Sequence, residues 1–241
     1  MKSIVVPVNF SSCAANAARY AADLAQVIHA DLHLIHVIQV SVNSAELMMT
    51  QSLYEEVIES AAAALKQLQF ELTRRTDNRI KVDTTLGAGN VDTNVKDLCL
   101  QLKPYAIVLG AAGPSLEKFL AGSTVVSLLN NPDHPVLIVP EKSEFQQFRR
   151  ILLACDPEDI GSDVANTLPL IKELQEKFGS RIDIVTVETS RVEEGVLEYL
   201  GHHEADLIMV FPKKHGFFDF HVSQSRKLAL HSPVPVLSLH A

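Results

Sequence analysis

The chain has 241 residues, 47% of them apolar and 21% charged, and a formal net charge of −8. That length allows one or two packed domains, and no stretch nears the roughly 18 apolar residues in a row that a bilayer span requires. A split just after Glu141 leaves 10 basic and 14 acidic residues in the first part, Glu141 included, and 11 and 15 in the second, −4 on each side. With no basic arm and no tryptophan, nucleic-acid binding and membrane insertion are both excluded as readings.

In chain order, the start MKSIVVPVNF carries one lysine and a short apolar run broken by prolines, which makes a poor secretory signal and a good first strand over Ser3–Asn9. A helical pattern follows over Ala14–His29, with Ser11 or Ser12 as its cap. Asp31–Val40 reads as a second strand. Leu53, Val57, Ala61, Ala64, Leu65, Leu68 and Leu72 then recur at helical spacing. Ile80–Leu86 is a third strand, Val91–Leu102 a helix, Tyr105–Leu109 a fourth strand, Thr124–Leu129 part of a helix and Pro135–Val139 a fifth strand. Strands alternating with helices predict an α/β fold, an open parallel sheet with helices on both faces. Such sheets bind ligands at the carboxyl ends of their strands, where strand order reverses.

Pro140–Phe148, PEKSEFQQF, is polar and breaks the periodicity, which marks it as a linker. Beyond it the chain repeats itself: RRILLACDPEDIGS restates KSIVVPVNFSS, RIDIVTVETS restates ADLHLIHVIQV, ADLIMVF restates YAIVLG, and SPVPVLSLH restates DHPVLIVP. A repeat of this length predicts a duplicated domain, 1–140 and 149–241. The second copy passes almost directly from its second strand to a helix over Glu194–Gly201. It lacks a counterpart of Ser44–Leu86, so four strands are expected there instead of five.

The stretch LGAAGPSLEKFLAGST, Leu109–Thr124, carries the chemistry. It is not a Walker A loop, which needs GK[ST], nor a GxGxxG fingerprint, which also fails at Gly87–Asp92. What remains is Gly110-x2-Gly113 at a strand end, eight residues, then Gly122-Ser123-Thr124 opening a helix. Glycines admit backbone N–H groups close to an anion, and a helix N-terminus adds unpaired donors. The same pattern also suits a plain turn, with Gly110 and Gly113 in it and Ser123 or Thr124 as a cap worth about 1 kcal/mol.

IVVPVNFS at the start, LHLIHV in strand two and AIVLGAAG…GSTVVSLLNNPDHPVLIVP together resemble a tandem universal stress protein, over 1–140 and more loosely 149–240. That resemblance implies an adenine nucleotide, ATP or AMP, with Mg²⁺ as accompanying ion. Nucleotide-binding members carry G-x2-G-x9-G-[S/T], and this chain has eight intervening residues. By resemblance, Gly110 lies near the ribose and Gly113, Gly122, Ser123 and Thr124 surround the phosphates. Pro7 and the strand-one position, Asn9 where the family has Asp, then hold base or ribose together with the Val37 backbone. Asn9 still accepts a hydrogen bond, more weakly than a charged carboxylate by about 1 kcal/mol. The resemblance also implies pairing through the last strands, so that Pro135–Val139 and Pro235–Leu239 meet within one chain as a pseudo-dimer, with room for a further homodimer.

The second copy keeps Asp156, but Phe211, Lys214 and Val222 replace the three glycines, so a β-carbon blocks each approach. Lys213 and Lys214 on that loop suit no specific anion site. His202, His203, His215, His221 and His231 are dense, and His215-x3-Asp219-x-His221 has metal-ligand spacing, though loop histidines more often face solvent. His33 and His36 fall on opposite faces of strand two. Cys13, Cys99 and Cys155 are isolated, which suits a reducing, cytoplasmic compartment. No catalytic set is legible; Lys118 is the nearest cation, and any ATP hydrolysis is expected to be slow. The reading is a stress-response nucleotide-binding protein, with a nucleotide-free scaffold and a weak ATPase as alternatives.

Overall fold

The computed structural model describes residues 2–39, 51–111, 134–155, 160–187, 191–210, 228 and 231–239. Among these residues nine strands form one sheet: β1 (Lys2–Pro7), β2 (Ala30–Ile38), β3 (Val82–Ala88), β4 (Ala106–Ala111), β5 (Val136–Pro140), β6 (Arg150–Cys155), β7 (Arg181–Thr186), β8 (Leu207–Val210) and β9 (Val236–Ser238). Among the described residues five helices accompany them: α1 (Ser12–Ile28), α2 (Gln51–Arg75), α3 (Val91–Leu102), α4 (Ile160–Phe178) and α5 (Val192–His202). Strand order is β3-β2-β1-β4-β5-β9-β8-β6-β7. Every ladder is parallel except β5–β9, which is antiparallel through Val136↔Ser238, Leu137↔Leu237 and Ile138↔Val236. The mixed α/β architecture matches the expected open sheet with helices on both faces, and residues 149–239 contribute four strands.

Period-2 alternation sorts each strand between two cores. Ile4, Leu32, Leu34, Val108, Leu153 and Leu237 face α1, α2 and α4 through Leu24, Leu72 and Leu174. Val5, Ile35, Val37, Ile107, Ile138, Leu152 and Val236 face α3 and α5 through Val95, Leu98 and Val196. Both faces of the strands are apolar because both are covered, as a parallel sheet requires. Ser11 caps α1, its hydroxyl accepting from Ala14 N–H, and Asn90 caps α3 by accepting from Thr93 N–H.

Two expectations need correction. Gly110 does sit at the end of a strand as expected, but the strand runs on through it and Ala111, with Gly110 paired to Val139 in the β4–β5 ladder, against the alternative of a plain turn. The segment 141–149 is no free linker. Phe145 packs edge-on against Tyr20 of α1 and against Phe148, and Phe148, 2% exposed, packs on Phe178 of α4. Asn16 of α1 donates to Pro140 O and Ser143 O at 3.2 and 2.9 Å, and Ser12 donates to Glu141. Polar composition hid two aromatic anchors.

Candidate functional site

Chain order reverses between β1 and β4, which are neighbours in the sheet although β2 and β3 lie on the other side of β1. Their carboxyl ends carry Pro7–Asn9 and Gly110–Ala111. This is the switch point at which an open α/β sheet leaves a crevice.

The β1–β2 ladder stops at Pro7↔Ile35, with Val8 N–H donating to Ile35 O at 2.8 Å beyond it. Main-chain groups along a strand alternate in direction, so those of Val37 point the same way as Ile35 O. They face the β1 side just past the end of the paired strand. The Val37 side chain is buried and packs toward α3. Next to it, His36 Nδ1 lies 2.7 Å from Val8 O, and the His36 ring is 4.4 Å from that of Phe10. Phe10 sits at φ 60°, the left-handed region, which turns the chain sharply out of β1 and into α1.

Asn9 does not present its carbonyl to the crevice. Its Oδ1 accepts from Ser11 N–H at 3.1 Å and from the Ser11 hydroxyl at 2.6 Å, an Asx turn that sets the helix cap. Its side-chain amide has no hydrogen-bond partner among the described residues. The expected acceptor role therefore does not match this geometry, because the short turn into α1 consumes the oxygen.

Gly110 has a packing reason of its own. A β-carbon there would lie 2.4 Å from Cys13 O and 3.1 Å from Ala14 N, so β4 passes directly against the first turn of α1. The structure thus brings Pro7, Asn9 and Gly110 to one end of the sheet, linked through Ser11 and the buried Cys13, whose Sγ is 3.4 Å from Ser11 Oγ. Gly113, Gly122, Ser123 and Thr124 lie outside the described residues, as does Lys118. Sequence reasoning missed Phe10 and His36 as neighbours of the site. The signal available was an aromatic immediately after the strand-ending Asn9.

In the second half, Asp156, Phe211, Lys213, Lys214 and Val222 lie outside the described residues, as do His215, Asp219 and His221. Among the described residues no group of three metal-ligating side chains occurs. His231 instead pairs with Glu193, and His203 stacks on Tyr199 with ring centroids 4.1 Å apart. His33 bonds Thr85 Oγ1 at 2.8 Å. Burial lowers its pKa below the ordinary imidazole range, with Asp83 opposing and Lys81 adding to the shift. All three cysteines are buried and none is in a disulfide; burial pushes the Cys99 thiol up to about 11. No helix among the described residues is long and apolar enough to cross a membrane.

A family model described as the universal stress protein family matches residues 1–140. Universal stress protein G of Shigella flexneri is 28% identical over 145 residues, which span 57% of this chain and 98% of that protein. A universal stress protein of Methanocaldococcus jannaschii is 27% identical over 141 residues, 57% of this chain and 81% of that one. Among solved structures, a universal stress protein from Archaeoglobus fulgidus DSM 4304 superposes with a TM-score of 0.68 at 18% identity. That match covers 98% of this chain and 97% of the other, a likeness of fold along the whole length.

Proposed function

The chain belongs to the universal stress protein family, and from that premise we propose that residues 1–140 form an adenine-nucleotide-binding unit in a cytoplasmic stress-response protein. ATP or AMP, with Mg²⁺ accompanying the phosphates, would sit at the carboxyl ends of β1 and β4. The observation that carries this reading is the Val37 main chain, turned toward the β1 side where the ladder has already ended. A purine edge can use such a donor and acceptor. Pro7 and Asn9 would flank the base and ribose, Asn9 acting as a donor through its amide. Gly110 would let the ligand lie against the strand end, with Gly113, Gly122, Ser123 and Thr124 donating to the phosphates. Residues 149–241 would form the second, shortened unit, joined to the first as an intrachain pseudo-dimer across β5 and β9. No catalytic residue is assigned.

One observation favours a second reading, a nucleotide-free interaction scaffold. The Asn9 oxygen is spent on Ser11, and Gly110 is already accounted for by its contact with Cys13. Calorimetric titration of ATP, and separately of AMP, into the purified protein with and without Mg²⁺ decides between the two. Saturable heat below millimolar nucleotide, lost in Gly122→Val, is the expected result. No heat at millimolar nucleotide would leave the scaffold, and unchanged affinity in Gly122→Val would move the ligand away from the glycine stretch. Phosphate release well above a protein-free control would instead point to an ATPase.

A further inference from the structure

The joint by which the family resemblance would pair two chains is consumed inside this one, since β5 and β9 already bond each other. The ends of the sheet are β3 and β7, and they differ. Strand β3 lies beside α2 with no large exposed apolar residue. Strand β7 ends the half of the chain that lacks a counterpart of α2 and β3.

Equivalent positions make the contrast measurable. Ser3 and Arg150 directly precede the matching Ile4 and Ile151, and they pair with Asp31 and Arg181 respectively. Counting three residues on, Ile184 stands in β7 where Leu34 stands in β2. Leu34 is 0% exposed, packed beneath α2 between two neighbouring strands, whereas Ile184 is 54% exposed. The position has stayed apolar although what covers it in the first half is missing from the second.

Backbone phase says how it can be covered. Arg181 N–H donates to Arg149 O and Val187 N–H to Cys155 O, so odd-numbered residues face β6. The main-chain groups of Ile182, Ile184 and Thr186 therefore point away from the sheet, a row of three donors and acceptors with no strand beside them among the described residues. We infer that β7 is a homodimerisation edge, pairing antiparallel with β7 of a second copy about a two-fold axis at Ile184. Ile184 meets Ile184 of the second copy as a hydrogen-bonded pair, and Ile182 meets Thr186 on each side. A register centred on Asp183 would set like charges face to face. One centred on Ile182 would run the second strand into the end of α4 at Phe178 and Gly179. The Ile184 register avoids both: Asp183, held 3.0 Å from Arg181 within its own strand, then faces Val185 of the second copy. This pairing is independent of any nucleotide.

Sedimentation equilibrium of the full chain is expected to give a dimer of twice the chain mass. Ile184→Lys, a surface change that keeps the fold by circular dichroism, is expected to raise the dimer dissociation constant about tenfold or more. Ile184→Cys is expected to form an interchain disulfide on mild oxidation, undisturbed by the buried native thiols. A wild-type monomer at high concentration, or a dimer that withstands Ile184→Lys and gives no Ile184→Cys crosslink, overturns the inference.

Discussion

A β-carbon on Gly110 would fall 2.4 Å from Cys13 O and 2.7 Å from Cys13 C, and both are backbone atoms that cannot swing aside as a side chain would. Gly110→Ala is therefore expected to destabilise the protein by about 1–3 kcal/mol through overpacking. The measurement is urea denaturation in the absence of nucleotide; stability equal to wild type would mean that α1 yields freely at its first turn and that the glycine serves the ligand alone. Residue type was legible here and its use was not. A glycine at a strand end reads equally as a turn, an anion cradle or a close approach, and which one holds depends on α1, which is distant in sequence. Asn9 repeats the lesson. Its acceptor was legible, but the donors that occupy it are on Ser11, two residues on, and that local closure is cheaper in entropy than holding the oxygen open for a ligand.

Between residues and the whole molecule, the strap 141–149 is the element whose character changed most. Phe148 sits among Phe145, Phe178 and the apolar side chains of α1, α4, β8 and β9. Phe148→Ala removes a ring from a fully covered position, and about 3–5 kcal/mol of destabilisation is expected by urea denaturation. A loss under about 1 kcal/mol would return the segment to the status of a loose linker. Strands and capped helices were easier to read because their signals are local. The periodicity of Val91–Leu102 predicts α3 at its observed bounds, and of the two cap candidates Ser11 and Ser12 it is Ser11 that caps α1. Strand β4 runs two residues beyond its expected end, through Gly110 and Ala111, because pairing with Val139 and Pro140 outweighs glycine's weak strand preference. An aromatic pair in a polar stretch has no period to reveal it, so the strap was invisible until its partners were in place.

At the scale of the whole molecule, the two halves share one sheet and one apolar layer. Leu24 and Ile28 of α1, Leu137 of β5, Leu174 of α4 and Leu237 of β9 belong to a single cluster, with Phe148 among them. Lys2 of β1 adds an ion pair to Glu173 of α4 while its ammonium lies 4.4 Å above the Tyr105 ring. Burial, with Glu173 alongside, holds the Tyr105 hydroxyl protonated far above its ordinary range. Among the described residues the second half has four strands, and its outer strand is only half covered, by Ile182 on one face and Val185 on the other. It therefore buries less of its own surface than the first and depends on the shared layer for its stability. Chains of this length and repeat structure often melt in steps, but a joint of this kind couples the halves. Thermal unfolding is expected as one transition, with helix signal and tyrosine fluorescence superimposable and calorimetric and van't Hoff enthalpies equal. Phe148→Ala should lower that single midpoint without splitting it. Two resolved steps in the wild type, or a variant that shifts only one of them, would show that the halves fold separately and that β5–β9 is a contact rather than a core.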